Sequence, residues 1–351
     1  MRATVILPVL SSTLSFLFAA LVLRQWRLRH HPFQLVWGIG LVWYGIAAGT
    51  EVLGGLAGWN DHLYRAWYLC GAFFTAAYLG LGTIYLLAKT RFGYFAAFAI
   101  FTGGLFAWVF QLAQIKAGQP ASWAVVWLVI GVATAGALAV AVATAVRRRW
   151  APHIAAGLLV AASAVVAVLV MTAHIAAPGY ALDPTTHAPV GTLMPPYLRV
   201  QTGPFNIAGA FCLVFGAVYS FYVYMPKRKV LRGRVRVPVL AQLYGALAVV
   251  VNLVASLPLA VVGLARGKLH SRVPATLLIA LGGFVPSFTS GLTRYGITWA
   301  FFLGEFLGVA LIFCGFLVSE EVFAHLRVRV GRAVLFARDA AEGAEPGVVT
   351  P

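Results

Sequence analysis

Long apolar segments alternate with short polar connections along most of this chain. Seven such segments cover about residues 4–23, 34–57, 64–88, 94–114, 122–146, 153–175 and 204–225, and three more follow at about 238–264, 274–290 and 296–318. An α-helix needs about 20 predominantly apolar residues to cross the hydrocarbon core of a bilayer. The pattern therefore predicts an all-α fold, a polytopic transmembrane bundle built from nine to ten apolar segments.

The basic residues predict which way the bundle faces. Fourteen of the eighteen Lys and Arg residues before residue 238 lie in every second connection. They form four clusters: Arg24, Arg27 and Arg29; Lys89 and Arg91; Arg147, Arg148 and Arg149; and Lys227, Arg228, Lys229, Arg232, Arg234 and Arg236. Because Lys and Arg are enriched in cytoplasmic connections, we expect the N-terminus outside and a multi-pass protein of the inner (plasma) membrane.

Composition excludes a large soluble domain. The chain is 61% hydrophobic and 10% charged, whereas soluble domains are roughly half apolar and about a quarter charged. A net charge of +17 would indicate nucleic-acid binding in a soluble protein, but here the basic residues flank apolar segments and meet anionic lipid headgroups. We therefore expect the lipid bilayer as partner, no nucleic acid, and a docking site for a membrane or cytoplasmic protein at Lys227–Arg236.

The domain organisation depends on the segment 238–264. We divide the chain into a seven-helix block at 1–237, C-terminal membrane helices at 238–323 and a polar, partly disordered tail at 324–351. If 238–264 crosses the membrane, the tail and its arginines lie outside, against the charge rule. If it is re-entrant, the tail returns to the cytoplasm. Asn252 and Pro258 are compatible with such a break, whereas the length of the segment favours a plain span.

Only two acidic residues, Glu51 and Glu305, fall inside apolar segments. An ionisable group in a membrane helix is costly and marks a functional site. Arg65 begins the next segment on the outer side, and it could pair with Glu51 across a short hairpin. Either the pair couples a ligand or an ion, or it only orients two helices.

Glu305 is flanked by Gly304 and Gly308, and small residues at this spacing let helices approach closely. Glu305 should therefore face protein, with Arg294 as its nearest basic residue in the sequence.

One long external connection, from about Ala176 to Gly203, is rich in Pro, Gly and Thr and should form an irregular but ordered loop. It contributes Asp183, His187 and Arg199 as candidate polar residues. A Pro-rich loop does not place Asp183 and His187 as a helix would, so we expect no metal site there.

We also expect no cofactor and no catalytic residue. His153 and His174 lie at opposite ends of one segment, which is the wrong geometry for haem ligands. No Lys lies in the middle of a segment, as a retinal Schiff base would need. Cys70, Cys212 and Cys314 lie in separate segments, so they predict neither a zinc site nor a disulfide framework. The sequence therefore gives no indication of an enzyme.

Residues 24–91 resemble the seven-helix sensor region at the N-terminus of some bacterial histidine kinases. The stretches concerned are RQWRLRHHPFQLVWGIGLVWYGIAAGTEVLGGL and LYRAWYLCGAFFTAAYLGLGTIYLLAKTR. The likeness consists of a basic first inner loop, a Pro at the start of the second segment, a Glu late in it, and an aromatic-rich third segment. No kinase or cyclase domain follows in this sequence. Other stretches are similar to uncharacterised bacterial polytopic membrane proteins. The resemblance implies sensing of a ligand or of the membrane state through the external half, with Glu51 at the matching position.

Four functions remain open at this point. The first is small-ligand binding or sensing by the membrane bundle. The second is secondary transport by inverted five-plus-five helix repeats that divide at Arg147–Arg149. The third is a membrane-embedded enzyme that acts on a lipid, although the sequence shows no recognisable nucleophile, metal site or phosphate-binding site for it. The fourth is a role as a membrane subunit of a larger complex.

Overall fold

The computed structural model of the chain describes residues 3–184, 186–225, 228, 230–231, 238–265, 272–293, 300–318, 327–330 and 333–337. The fold is an all-α polytopic helix bundle, as the hydropathy pattern predicts. Seven helical stretches of the described residues are long and apolar enough to cross a membrane, and two shorter apolar stretches cover Leu247–Ala260 and Val273–Thr289. The protein is therefore a multi-pass membrane protein.

The helices of the described residues follow the predicted apolar segments closely. They are α1 Ala3–Arg29, α2 Pro32–Ala57, α3 Asp61–Tyr68, α4 Ala76–Leu86, α5 Phe92–Lys116, α6 Trp123–Arg147, α7 Ala151–Thr172, α8 Pro196–Arg199, α9 Ala208–Tyr224, α10 Pro238–Ala265, α11 Arg272–Thr293 and α12 Ala300–Val318. A π-helical segment, Leu69–Thr75, joins α3 to α4, and a second one, Gly203–Ile207, precedes α9.

The longest helical stretch, Trp123–Thr172, consists of two antiparallel helices. Arg147 has extended backbone angles (φ −153°, ψ 92°), and the 3-10 turn Arg148–Trp150 follows it. The chain reverses there, because Gly136 of α6 packs against Leu158 of α7. The basic cluster Arg147–Arg149 therefore lies at a tight turn between two membrane helices.

Contacts in one compact unit, residues 1–220 and 277–313, fix the direction of its first helices. Gly38 of α2 lies against Leu23 of α1, and Gly55 lies against Val5, so α1 and α2 are antiparallel. The indole of Trp37 donates a hydrogen bond to the carbonyl oxygen of Leu79 at 3.0 Å. A second contact joins Gly71 to Ala47. Gly71 comes before Leu79 in the chain, whereas Ala47 comes after Trp37. Helix α4 is therefore antiparallel to α2 and parallel to α1.

Helix α9 also runs parallel to α1. Gly209 and Gly80 approach each other through their backbones, and about two turns of α9 later Gly216 meets Thr83. The order of these contacts makes α9 parallel to α4. Only glycine permits this approach, because a Cβ at Gly80 would overlap the backbone of Gly209.

The same unit contains the second part of α11 and most of α12, which are antiparallel to each other. Gly304 of α12 packs on Thr289 of α11, and Gly282 of α11 packs on Ile312 of α12. The phenyl rings of Phe18 in α1 and Phe313 in α12 lie 5.1 Å apart.

The hydroxyl of Tyr44 in α2 meets the backbone of Glu305 in α12, and Gly45 next to it accepts a hydrogen bond from Ser12 of α1. Ser12 of α1 therefore lies at the level of Glu305 of α12, and Phe18 lies at the level of Phe313. The residue numbers increase in the same direction along both helices. Helix α12 is thus parallel to α1, and α11 runs in the opposite direction.

The second compact unit comprises residues 221–276 and 314–351. Here α10 is one continuous helix of 28 residues that includes Pro258. Its second half packs through Ala260 in an apolar cluster with Met225 and Val273. Arg327–Val330 and Ala333–Ala337 pair as antiparallel strands in the polar tail; the sequence predicts no strand in this segment.

Candidate functional site

Two acidic side chains from distant parts of the sequence meet inside the first unit. Glu51 lies near the end of α2, and Glu305 lies in the first half of α12. Glu51 is 3% exposed, and the two carboxyl groups interact directly with each other. The sequence identifies both acids as candidates, but it does not predict that they are neighbours.

Trp67 positions the carboxyl group of Glu51. Its indole Nε1 donates a hydrogen bond to Oε1 of Glu51 at 2.9 Å. The indole ring is itself held by a stacked contact with the ring of Tyr64, with centroids 5.6 Å apart. The side chain of Asn60 caps the first turn of α3, so this helix begins directly after α2 and carries Trp67 alongside it.

Tyr44 fixes α12 against α2 at the level of the acids. It precedes Glu51 by seven residues, which places both on one face of α2, two turns apart. Its hydroxyl donates a hydrogen bond to the main-chain oxygen of Glu305 at 2.7 Å. Tyr44 and Glu305 are 261 positions apart in the sequence. Their hydrogen bond brings α2 and α12 together at the level of the two acids.

The glycines beside Glu305 determine which helix it faces. A Cβ at Gly304 would overlap Thr289, and a Cβ at Gly308 would overlap Pro286, both on α11. The predicted close approach exists, and α11 is the helix that makes it. Because consecutive residues of an α-helix are about 100° apart around its axis, Glu305 turns away from α11 and toward α2.

The chemistry of this acidic pair is that of a cation site. Ionised carboxylates only accept hydrogen bonds, and two of them side by side and out of water repel each other. Oε2 of Glu51 and Oε2 of Glu305 are buried and make no hydrogen bond with the described residues. Within the same part of the chain, neither acid forms an ion pair with Lys, Arg or His. The pair therefore has acceptor capacity for one proton or for a small cationic group.

Arg65 does not pair with Glu51, which corrects the predicted hairpin ion pair. Its Nε binds Oδ2 of Asp61 at 2.8 Å, one turn earlier in α3. Its guanidinium group also donates to the main-chain oxygens of Val170 and Met171 in the last turn of α7. The reason is geometric, since Arg65 points to the helix end that offers unpaired carbonyl groups. Arg65 is thus a structural cap of α7.

The long connection after α7 is ordered against α3, as its composition predicts. The hydroxyl of Tyr64 donates to the main-chain oxygen of Val190. Gly191 lies against the ring of Tyr68. Arg199 lies close enough to the hydroxyls of Tyr64 and Tyr68 to interact electrostatically with both. These contacts hold the connection over the end of the bundle where α7 finishes and α3 begins.

Asp183 and His187 stabilise a turn of this connection. Oδ1 of Asp183 accepts hydrogen bonds from the backbone N–H of Thr186 at 2.8 Å and from its hydroxyl at 3.0 Å. The backbone N–H of His187 donates to the main-chain oxygen of Asp183 at 2.9 Å. Among the described residues, no group of three or more His, Cys, Asp or Glu side chains is arranged to hold a metal ion.

Two of the predicted sites fall partly or wholly outside the described residues. Arg294, the predicted partner of Glu305, lies outside them, and of the segment Lys227–Arg236 only residues 228, 230 and 231 are described. Another basic cluster does form a cleft: Lys89 and the turn at residues 145–149 line an open cavity of about 600 Å³.

Sequence reasoning missed Tyr44 and Trp67, the two residues that position the acids. The spacing of Tyr44 and Glu51, two helical turns, was a usable signal for a shared face. Trp67 follows Arg65 by two residues, so it lies on a different side of α3, and its role depends on how α3 packs against α2. Such packing is not encoded in local spacing.

The chain was compared with protein-family models, curated proteins and solved structures, and none of them matches.

Proposed function

We propose that this membrane protein is a ligand-binding sensor whose bundle binds a proton between Glu51 and Glu305. The observation that carries this proposal is the direct contact of the carboxyl groups of Glu51 and Glu305, each with one buried oxygen that lacks a hydrogen bond within the described residues. A shared proton turns one acceptor into a donor and removes the repulsion between two negative charges.

The pair is placed where proton binding changes a helix-helix contact. Glu51 belongs to α2 and Glu305 to α12, and the hydrogen bond from Tyr44 to the backbone of Glu305 connects the same two helices at this level. With the proton bound, the two carboxyl groups attract each other. Without it they repel, and α12 is pushed away from α2. Proton occupancy therefore couples to the position of α12, which is the kind of two-state element that sensing requires.

The surroundings support a proton in preference to a larger ligand. Trp67 already occupies one oxygen of Glu51, and Tyr44, which among the described titratable groups also faces the pair, is bonded to the backbone. Ring contacts of Trp67 with Tyr64 and Tyr68 close the side toward α3.

Secondary transport is the second candidate, because paired intramembrane acids also serve proton-coupled carriers. Inverted five-plus-five repeats would require the last helix of each half to run in opposite directions. The contacts Tyr78–Ser163 and Tyr85–His153 make α7 antiparallel to α4, and α6 is antiparallel to α7. Helix α6 is therefore parallel to α4 and α1, and α12 runs in that same direction. A carrier of another symmetry remains the alternative.

The test is infrared spectroscopy of the full chain in lipid vesicles during a pH titration. We expect the band of a protonated carboxyl group to disappear as the pH rises. It should be lost at every pH in the double variant Glu51→Gln, Glu305→Gln. The control Asp183→Asn changes an acid of the external connection and should leave the band intact. The proposal would be overturned if the double variant kept the band unchanged. It would also be overturned if the unsubstituted protein showed no such band at any pH.

A functional readout separates sensing from transport. Vesicles loaded with a pH-sensitive dye should show no proton flux linked to solute uptake if the protein senses. The distance between α2 and α12, measured with labels at Leu53 and Leu307, should increase as the pH rises. Both positions are exposed on their helices, so the labels do not disturb the acidic pair.

A further inference from the structure

The directions of the helices determine where the segment between α9 and α11 begins and ends. Helix α9 runs parallel to α1, so it finishes on the membrane face where α1 finishes. Helix α11 runs antiparallel to α12, and α12 is parallel to α1, so α11 starts on that same face. Both statements follow from contacts within the first unit, such as those of Gly209 with Gly80 and of Gly304 with Thr289.

We infer that α9 ends and α11 begins on one face of the membrane, and that α10 rests in the lipid leaflet of that face without crossing the bilayer. A helix of 28 residues is about 42 Å long, so its length alone would allow a crossing. A single crossing would start α11 on the opposite face, which is incompatible with its direction.

Contacts inside the second unit support this path. The apolar cluster of Met225, Ala260 and Val273 joins the end of α9, the second half of α10 and the start of α11. The second half of α10 thus lies beside two helix ends. A spanning helix that entered at Pro238 would already be on the far side at this point.

Asn252 and Ser256 in the middle of α10 bind the incoming connection. Oδ1 of Asn252 accepts hydrogen bonds from the backbone N–H groups of Val230 at 2.7 Å and Leu231 at 3.0 Å. The hydroxyl oxygen of Ser256 accepts one from the backbone N–H of Arg228 at 2.8 Å. These bonds hold a basic connection, only a few residues after the end of α9, against the centre of α10. A charged connection belongs at the membrane surface, so the centre of α10 belongs there too.

The opposite side of α10 is an apolar stripe, formed by Leu247, Val250, Val254 and Leu257, which are 42–60% exposed. Lipid acyl chains are the occupant that fits it, because basic residues flank the helix at Lys227–Arg236 and at Arg266, Lys268 and Arg272. Basic residues beside an apolar face are typical of segments that lie at an anionic leaflet.

The test is labelling of single cysteines with a membrane-impermeant maleimide in intact cells. In a background in which Cys70, Cys212 and Cys314 are replaced by Ala, Lys268→Cys should be labelled only after permeabilisation, like the matched control Lys89→Cys. His187→Cys in the external connection should be labelled from outside. Labelling of Lys268→Cys and His187→Cys together from one side, with Lys89→Cys protected, would overturn the single-face path.

Spin labels at Val250 and Val254 test the lipid contact in the same full chain. We expect both to be accessible to oxygen in the bilayer and protected from a water-soluble nickel complex, at similar shallow depths. A depth at the bilayer centre would indicate a crossing helix. Accessibility to nickel would indicate a water-exposed stripe, and strong coupling between labels on two chains would indicate a second copy as the occupant. Each of these three results would overturn the proposal.

Discussion

The indole of Trp67 donates a hydrogen bond to Oε1 of Glu51 at 2.9 Å. This bond supplies a donor to the buried carboxyl group of Glu51, and it connects the short helix α3 to the end of α2. It is independent of the contact between Glu51 and Glu305, so the two interactions can be removed one at a time.

Replacing Trp67 by Phe should destabilise the protein by about 1–3 kcal/mol, because a buried acceptor loses its donor. The measurement is the free energy of unfolding in detergent micelles. The same substitution in a Glu51→Leu background removes no hydrogen bond and should cost less. Equal losses in both backgrounds would show that ring packing alone, and not the bond to Glu51, makes Trp67 important.

Replacing Tyr44 by Phe should weaken the docking of α12 on α2. The hydroxyl that reaches the backbone of Glu305 at 2.7 Å is removed, and a typical hydrogen bond contributes about 1 kcal/mol. Hydrogen exchange of α12 amides, followed by mass spectrometry, should become faster. Tyr85→Phe is the matched control, because the hydroxyl of Tyr85 bonds to exposed His153 and its loss should leave α12 unchanged.

The two members of the Arg65–Asp61 pair should differ in their effect on stability. Arg65 is 7% exposed and also caps the last turn of α7, so Arg65→Gln should cost about 1.5–3 kcal/mol. The side chain of Asp61 is 38% exposed, and for such a solvated partner we expect Asp61→Asn to cost less than about 1 kcal/mol. Thermal unfolding monitored by circular dichroism would rank the two, and a larger loss in Asp61→Asn would contradict the capping role of Arg65.

The contact between α4 and α9 should not tolerate a single methyl group. A Cβ at Gly209 would overlap the backbone of Ala76, and overpacking of this kind costs about 1–3 kcal/mol. Gly131→Ala is the matched control in another membrane helix, since its Cβ would meet nothing within 4 Å. Steric trapping or detergent unfolding should separate the variants, and equal stabilities would refute the close approach.

Much of the fold could be predicted because a bilayer imposes strong constraints on sequence. Apolar length predicts the helices, and a pair such as Gly304 and Gly308 predicts a close contact without naming the partner. The partner helix, α11, depends on the whole packing arrangement. The same limit explains the error at Arg65: its charge predicts a buried partner, but the carbonyl groups at the end of α7 have no signature in the sequence.

The sequence identifies the two acidic residues, but it does not predict that they contact each other. Glu51 and Glu305 are conspicuous because acids are rare in apolar segments. Their meeting depends on α12 returning to the first two helices, which the order of segments does not reveal. The path of α10 shows the converse case, because the conflict between charge and length at 238–264 is visible in the sequence, whereas the helix directions that bear on it come from distant contacts.

The π-helical segment Leu69–Thr75 has a consequence for the length of the third membrane span. A π turn accommodates one more residue than an α turn, so this span carries an extra residue between Trp67, which faces Glu51, and Leu79, which faces Trp37. Removing one residue here would let the segment relax to an ordinary α-helix, and it would rotate Trp67 by about 100° relative to Leu79. The number of residues between Trp67 and Leu79 is therefore fixed, because both must contact α2 at the same time.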